Sequence, residues 1–141
     1  MRFEISEEVV YSDKDVLHII FPMKKSRIAA EYLVEHFRNN GGYITKEQMS
    51  EIANRLDKGL ITEEEKLIKY SRRNFYLTVV KRLVELGFVQ KNVRHRNPST
   101  GKEEFAYMRN IFDIPSRPPS VGFWRLSYFI CRKWNNLFSQ S

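Results

Sequence analysis

The sequence contains a single cysteine, Cys131, in 141 residues. That excludes an intrachain disulfide and any zinc site built from several cysteines, and it favours a reducing compartment. No apolar run reaches the length needed to span a bilayer. The opening stretch, MRFEISEEVVYSDKD, places acids where a secretory signal needs basic and then apolar residues, so a cytoplasmic protein is expected. Glycine-rich phosphate loops, internal repeats and low-complexity segments are lacking as well. The three histidines, His18, His36 and His95, fall far apart in different expected elements, and Cys131 has no evident partner. The chain is therefore read as a non-enzyme, with no catalytic residue, metal ligand or cofactor assigned.

What is present begins with an ordinary globular composition, 42% hydrophobic and 29% charged. That is enough apolar surface to bury a core, in one compact domain with an appendage. The net charge of +7 is unevenly placed. Residues 1–22 balance to −3 and residues 23–70 to +1, whereas residues 71–112 reach +6, with nine basic side chains against three acidic. Residues 113–141 add +3. The excess is concentrated, as a footprint for a polyanion would be.

Along the chain, Val9-Val10-Tyr11 and Val16 to Phe21 are β-rich runs around a Ser/Asp turn, which predicts an N-terminal β arm or hairpin over residues 1–22. From Lys24 to Asn39 the apolar spacing becomes helical, and Asn39-Asn40-Gly41-Gly42 stops that helix. Tyr43-Ile44 suits a very short strand. Thr45 with Gln48 forms a capping-box pattern ahead of Met49, Ile52, Ala53 and Leu56. A second such pattern, Thr62 with Glu65, predicts a helix through Leu67, Ile68 and Tyr70, with the acids Glu63-Glu64-Glu65 at its N-terminus. Ser71 either caps a fresh helix or lies within a continuing one. The helix that follows ends at Gly87. Two strands then flank the turn-forming Asn97-Pro98-Ser99-Thr100-Gly101, the second carrying Phe105, Tyr107 and Ile111 on an expected apolar face.

Three helices, a short strand and a hairpin in that order resemble the winged helix-turn-helix superfamily, and RLVELGFVQKNVRHRNPSTGKEEFAYM is similar to the helix-Gly-wing stretch of MarR- and PadR-type regulators. The expected fold is mainly α with a small β-hairpin (α+β), the winged-helix domain occupying residues 23–112. The resemblance implies that the Ser71 helix enters the major groove while the hairpin, as a wing, crosses the backbone or reaches the minor groove of double-stranded DNA. Arg72, Arg73, Asn74 and Lys81 on the helix, and Lys91, Arg94, His95, Arg96 and Lys102 on the wing, are the candidate contacts. Arginine and lysine neutralise phosphates; arginine suits guanine edges and asparagine suits adenine. A transcriptional regulator acting by occupancy is the function this implies. The inserted DKGLITEEEKLIKY and the many apolar residues of the Ser71 helix favour an alternative, a winged-helix adaptor binding another protein in a replication, transcription or segregation assembly.

Residues 113–141 comprise a stiff proline-rich linker and an amphipathic helix from Val121 to Ser139. Its stripe of Phe123, Leu126, Ile130, Trp134, Leu137 and Phe138 is expected to form a homodimer contact. Packing on its own domain and binding to a membrane surface are the other roles such a helix fills.

Overall fold

A computed structural model describes residues 7–139, and the chain divides into two compact units. Two short helices, α1 (Glu7–Val10) and α2 (Val16–Ile20), come first and belong to the smaller unit. The larger unit, Lys24–Asn110, is contiguous in sequence. It is a mixed α/β unit whose order is α3 (Lys24–Asn39), β1 (Tyr43–Thr45), α4 (Lys46–Asp57), β2 (Ile61–Glu63), β3 (Lys66–Ile68), a helix in three parts, β4 (Val89–Arg96) and β5 (Glu103–Arg109).

Local sequence sets most of these boundaries. Helix α3 buries Ile28, Ala29, Leu33 and Phe37 along one stripe. It ends because Gly41 and Gly42 take positive φ, and at Gly42 a Cβ would lie 2.7 Å from the Arg109 guanidinium carbon. Helix α4 starts on a reciprocal capping box: the Thr45 hydroxyl accepts the Gln48 N–H at 3.1 Å, and the Gln48 side chain accepts the Thr45 N–H at 2.9 Å. Its buried face, Met49, Ile52, Ala53 and Leu56, follows the helical period. Each such fully buried Leu, Ile or Met contributes roughly 1.5–3 kcal/mol of transfer free energy.

The three-stranded sheet is antiparallel in the order β1-β5-β4, with Ile44 opposite Tyr107 and Arg94 opposite Phe105. A bulge between Gln90 and Val93 gives β4 one residue more than β5, and Asn92 within it takes a φ of 60°. Ala106 and Tyr107 are buried, but Phe105 and Ile111 are about half exposed. The uniform apolar face expected for the second strand is thus not present, since Ile111 lies beyond β5 and Phe105 faces outward beside Arg94.

The segment after Thr62 also departs from expectation. It forms the β2–β3 hairpin rather than a helix, with Ile61 opposite Ile68 and Glu63 opposite Lys66. Glu64 and Glu65 make the turn at φ values of 50° and 65°, the left-handed geometry of a two-residue hairpin. Glutamate does not advertise that geometry, so the local pattern reads as a capping box instead.

Ser71 caps a fresh helix: its hydroxyl accepts the Asn74 N–H at 3.0 Å. The helix runs through α5 (Arg72–Asn74), a π-helical stretch (Phe75–Val80) and α6 (Lys81–Glu85). The wider π turn leaves Lys81 N–H donating to Tyr76 five residues back. Gly87, at a φ of 86°, terminates it.

The smaller unit comprises the described parts of Met1–Met23 and Ile111–Ser141. The expected N-terminal β arm is not observed: α1 and α2 are helical, and the part of that expectation on residues 1–6 lies outside the described residues. Asp15 caps α2 by accepting the Leu17 N–H at 3.0 Å, and Val16, Leu17, Ile19 and Ile20 are all buried. Capping and burial together override the β preference of valine and isoleucine. After an irregular linker, α7 (Gly122–Asn136) packs on α1 and α2. Tyr11 meets Phe129 edge to face at 5.4 Å, and Lys133 Nζ donates to the carbonyls of Ser12 and Lys14. Asn135 holds Phe112 at both backbone groups, each at 2.9 Å. No helix among the described residues is long and apolar enough to cross a membrane.

Candidate nucleic-acid interface

The Ser71 helix is two-sided. Phe75, Val79, Val80 and Leu83 are buried, while Arg73, Asn74, Leu77 and Lys81 are exposed. The apolar residues that crowd this segment in the sequence therefore do not cover the whole helix. Packing with α3 falls on the π stretch, and α4 meets the helix at α5.

Arg72 is used within the fold. Its Nη1 donates to the Ser50 carbonyl at 3.2 Å, the Ser50 hydroxyl at 3.1 Å and the Asn54 side-chain oxygen at 2.9 Å. Its guanidinium lies 5.1 Å from the Tyr76 ring, and its backbone N–H donates to Asp57 at 3.0 Å. These contacts fix the start of the helix against α4, so Arg72 positions the helix, and Arg73 and Asn74 present their side chains outward. Lys81 lies 3.8 Å from Glu85, a surface pair that water and salt weaken.

On the β4–β5 hairpin, Lys91, Arg94, Arg96 and Lys102 are exposed. His95 differs from them: it is half-buried, stacked on Tyr43 with ring centres 4.2 Å apart and planes 16° from parallel. It fastens the hairpin to β1 rather than projecting from it. The hairpin turn is braced by Asn97, whose amide donates to Glu104 at 3.0 Å and accepts the Ser99 N–H at 2.9 Å. A cleft of about 490 Å³ lies beside it, lined by Asn39, Asn40, Tyr43, Gln48, His95 and Asn97 among others.

Two contributors carry no signal of their own in the sequence. Lys46, at the first position of α4, holds its ammonium 5.7 Å from the Phe105 ring, adding a cation to the Arg94 and Arg96 face. Leu77 is 53% exposed amid basic neighbours. Only a three-dimensional register brings Lys46 to the hairpin, and Leu77 is one of many apolar residues in its segment.

The remaining candidates resolve differently. His18 is 3.1 Å from the Asp15 capping carboxylate, and His36 bonds the Tyr32 carbonyl at 2.9 Å. Burial pushes the Cys131 thiol above its ordinary value, which keeps it in the poorly nucleophilic protonated form. Among the described residues, no group of three His, Cys, Asp or Glu could hold a metal ion. Trp134 of α7 and Leu137, which follows its last turn, are buried within the chain, which removes them from the expected dimer stripe. Phe123 is 72% exposed, and Leu126, Ile130 and Phe138 are half-buried.

Compared with protein-family models, curated proteins and solved structures, the chain matches none.

Proposed function

We propose that Lys24–Asn110 is a winged helix-turn-helix that binds double-stranded DNA, with the Ser71 helix in the major groove and the β4–β5 hairpin as its wing. The observation that carries this reading is the coincidence of exposure with charge. In the +6 segment, Arg73, Asn74 and Lys81 of the helix and Lys91, Arg94, Arg96 and Lys102 of the hairpin are all exposed. Helix α3, strand β1 paired with β5, helix α4, the Ser71 helix and the hairpin follow the element order of that superfamily. The wing cations, together with Arg73 and Lys81 of the helix, supply phosphate contacts and counterion release, and Asn74 supplies sequence preference.

In this reading the protein is a non-enzymatic cytoplasmic regulator that acts by occupying its site. A second copy would join through the exposed start of α7, where Phe123 stands with Val121 and Trp124 and the stripe continues through Leu126 and Ile130. A titration of mixed-sequence duplex DNA at two salt concentrations tests it: binding that weakens steeply with salt is expected, and no binding at low salt overturns it.

One feature favours the adaptor reading instead. The β2–β3 hairpin, inserted between α4 and the Ser71 helix, leaves Leu60 and Leu67 exposed beside Glu63, Glu64 and Glu65, a combination suited to a protein partner rather than to phosphate.

A further inference from the structure

Leu77 stands apart from the other exposed leucines. Leu60 and Leu67 flank the acidic turn of the β2–β3 hairpin, and Leu86 follows Glu85 at the helix end. Leu77 instead lies one helical turn beyond Arg73 and one before Lys81, on a segment with no Asp or Glu from Ser71 to Val84. It is 53% exposed although Phe75 and Val79, two residues to either side, are fully buried. The π turn beneath it is held from the core side, so the outward direction of Leu77 is set by the backbone.

An apolar side chain between two phosphate-binding cations gains nothing from the phosphates. It gains from an apolar group at the same depth, and among the base edges of the major groove only thymine offers one, its C5 methyl. We propose that Leu77 reads thymine through this methyl group, making it a specificity-determining residue of the helix. The assignment rests on the DNA-binding reading above and sharpens it: Arg73 and Lys81 set the height of the helix, Asn74 meets an adenine, and Leu77 requires a thymine one turn away.

The test begins with selection of duplexes from a random-sequence pool by the full chain. Each thymine of the enriched site is then replaced by uracil, which removes the methyl and leaves base pairing and charge unchanged. At one position the loss for the native chain should be about fourfold, the worth of one buried methyl-sized group. Leu77→Ser should bind the thymine and uracil duplexes equally while keeping the helical circular dichroism of the native chain. An enriched site lacking thymine, equal affinities of the native chain for both duplexes, or a Leu77→Ser chain that still prefers thymine would each overturn the assignment while leaving DNA binding in place. Failure of the native chain to bind any duplex at low salt would overturn the DNA-binding reading and this assignment with it.

Discussion

Arg72 donates from Nη1 to the side-chain oxygen of Asn54 at 2.9 Å, linking the first turn of the Ser71 helix to α4. Arg72, an exposed candidate DNA contact, thereby also braces the helix. Arg72→Ala should lower stability by about 1 kcal/mol, the modest worth of charge-assisted hydrogen bonds at an exposed site. Arg73→Ala should leave urea unfolding unchanged and weaken DNA binding. Equal loss of stability in the two variants would contradict this division of roles.

On the hairpin, Arg94 and Arg96 alternate outward beyond the bulge. Replacing both by glutamate should weaken duplex binding at every sequence, and the slope of log affinity against log salt should become shallower by roughly 0.9 for each phosphate that is no longer neutralised. His95→Ala should act otherwise, loosening the stack on Tyr43 and lowering thermal stability with little change in the salt slope. Fluorescence anisotropy at several salt concentrations separates the two effects.

Alkaline pH should weaken the fold. Burial raises the Tyr70 phenol above 10.0, outweighing its hydrogen bond with Thr78 and the field of Arg82. Burial and then Tyr76 raise Tyr107, and burial raises Cys131 above 9.0. The folded chain keeps these protons longer than the unfolded chain does. Stability is therefore complete below the ordinary values and falls as pH rises through them. Melting curves from neutral to alkaline pH, read beside phenolate absorbance, should show that fall accompanied by late-ionising tyrosines.

The two ends of α7 should respond differently to substitution. Trp134 is fully buried, and Trp134→Ala should cost about 3–5 kcal/mol. Phe123→Ala should leave unfolding nearly unchanged and shift sedimentation toward the monomer. A chain that sediments as a monomer at all concentrations before substitution would remove the proposed dimer.

The legible parts of the sequence are those in which neighbouring residues decide the outcome. The Thr45–Gln48 box, the halt at Gly41-Gly42 and the turn from Asn97 to Gly101 are local chemistry, and each holds in the structure. The illegible parts need distant partners or unusual dihedrals. Val16 to Ile20 has β-forming residues but buries them from a helix capped by Asp15, and Glu64-Glu65 turns a hairpin without glycine. At the candidate interface, charge marks the β4–β5 hairpin as a basic segment, but it does not separate the bracing Arg72 from Arg73 or the exposed hairpin cations from His95. That separation depends on Asn54 and Tyr43, which are distant in sequence.

The division into a contiguous unit and one formed by segments on either side of it also bears on synthesis. Lys24–Asn110 is made in one stretch, and the strands described within it pair only with one another. Helices α1 and α2 precede that stretch, whereas α7, which carries Trp134 and the Lys133 ammonium that binds the Ser12 and Lys14 carbonyls, follows it. Helices α1 and α2 are therefore translated before the larger unit but gain their packing partner after it. Their apolar surface must wait, uncovered by α7, through the synthesis of everything between.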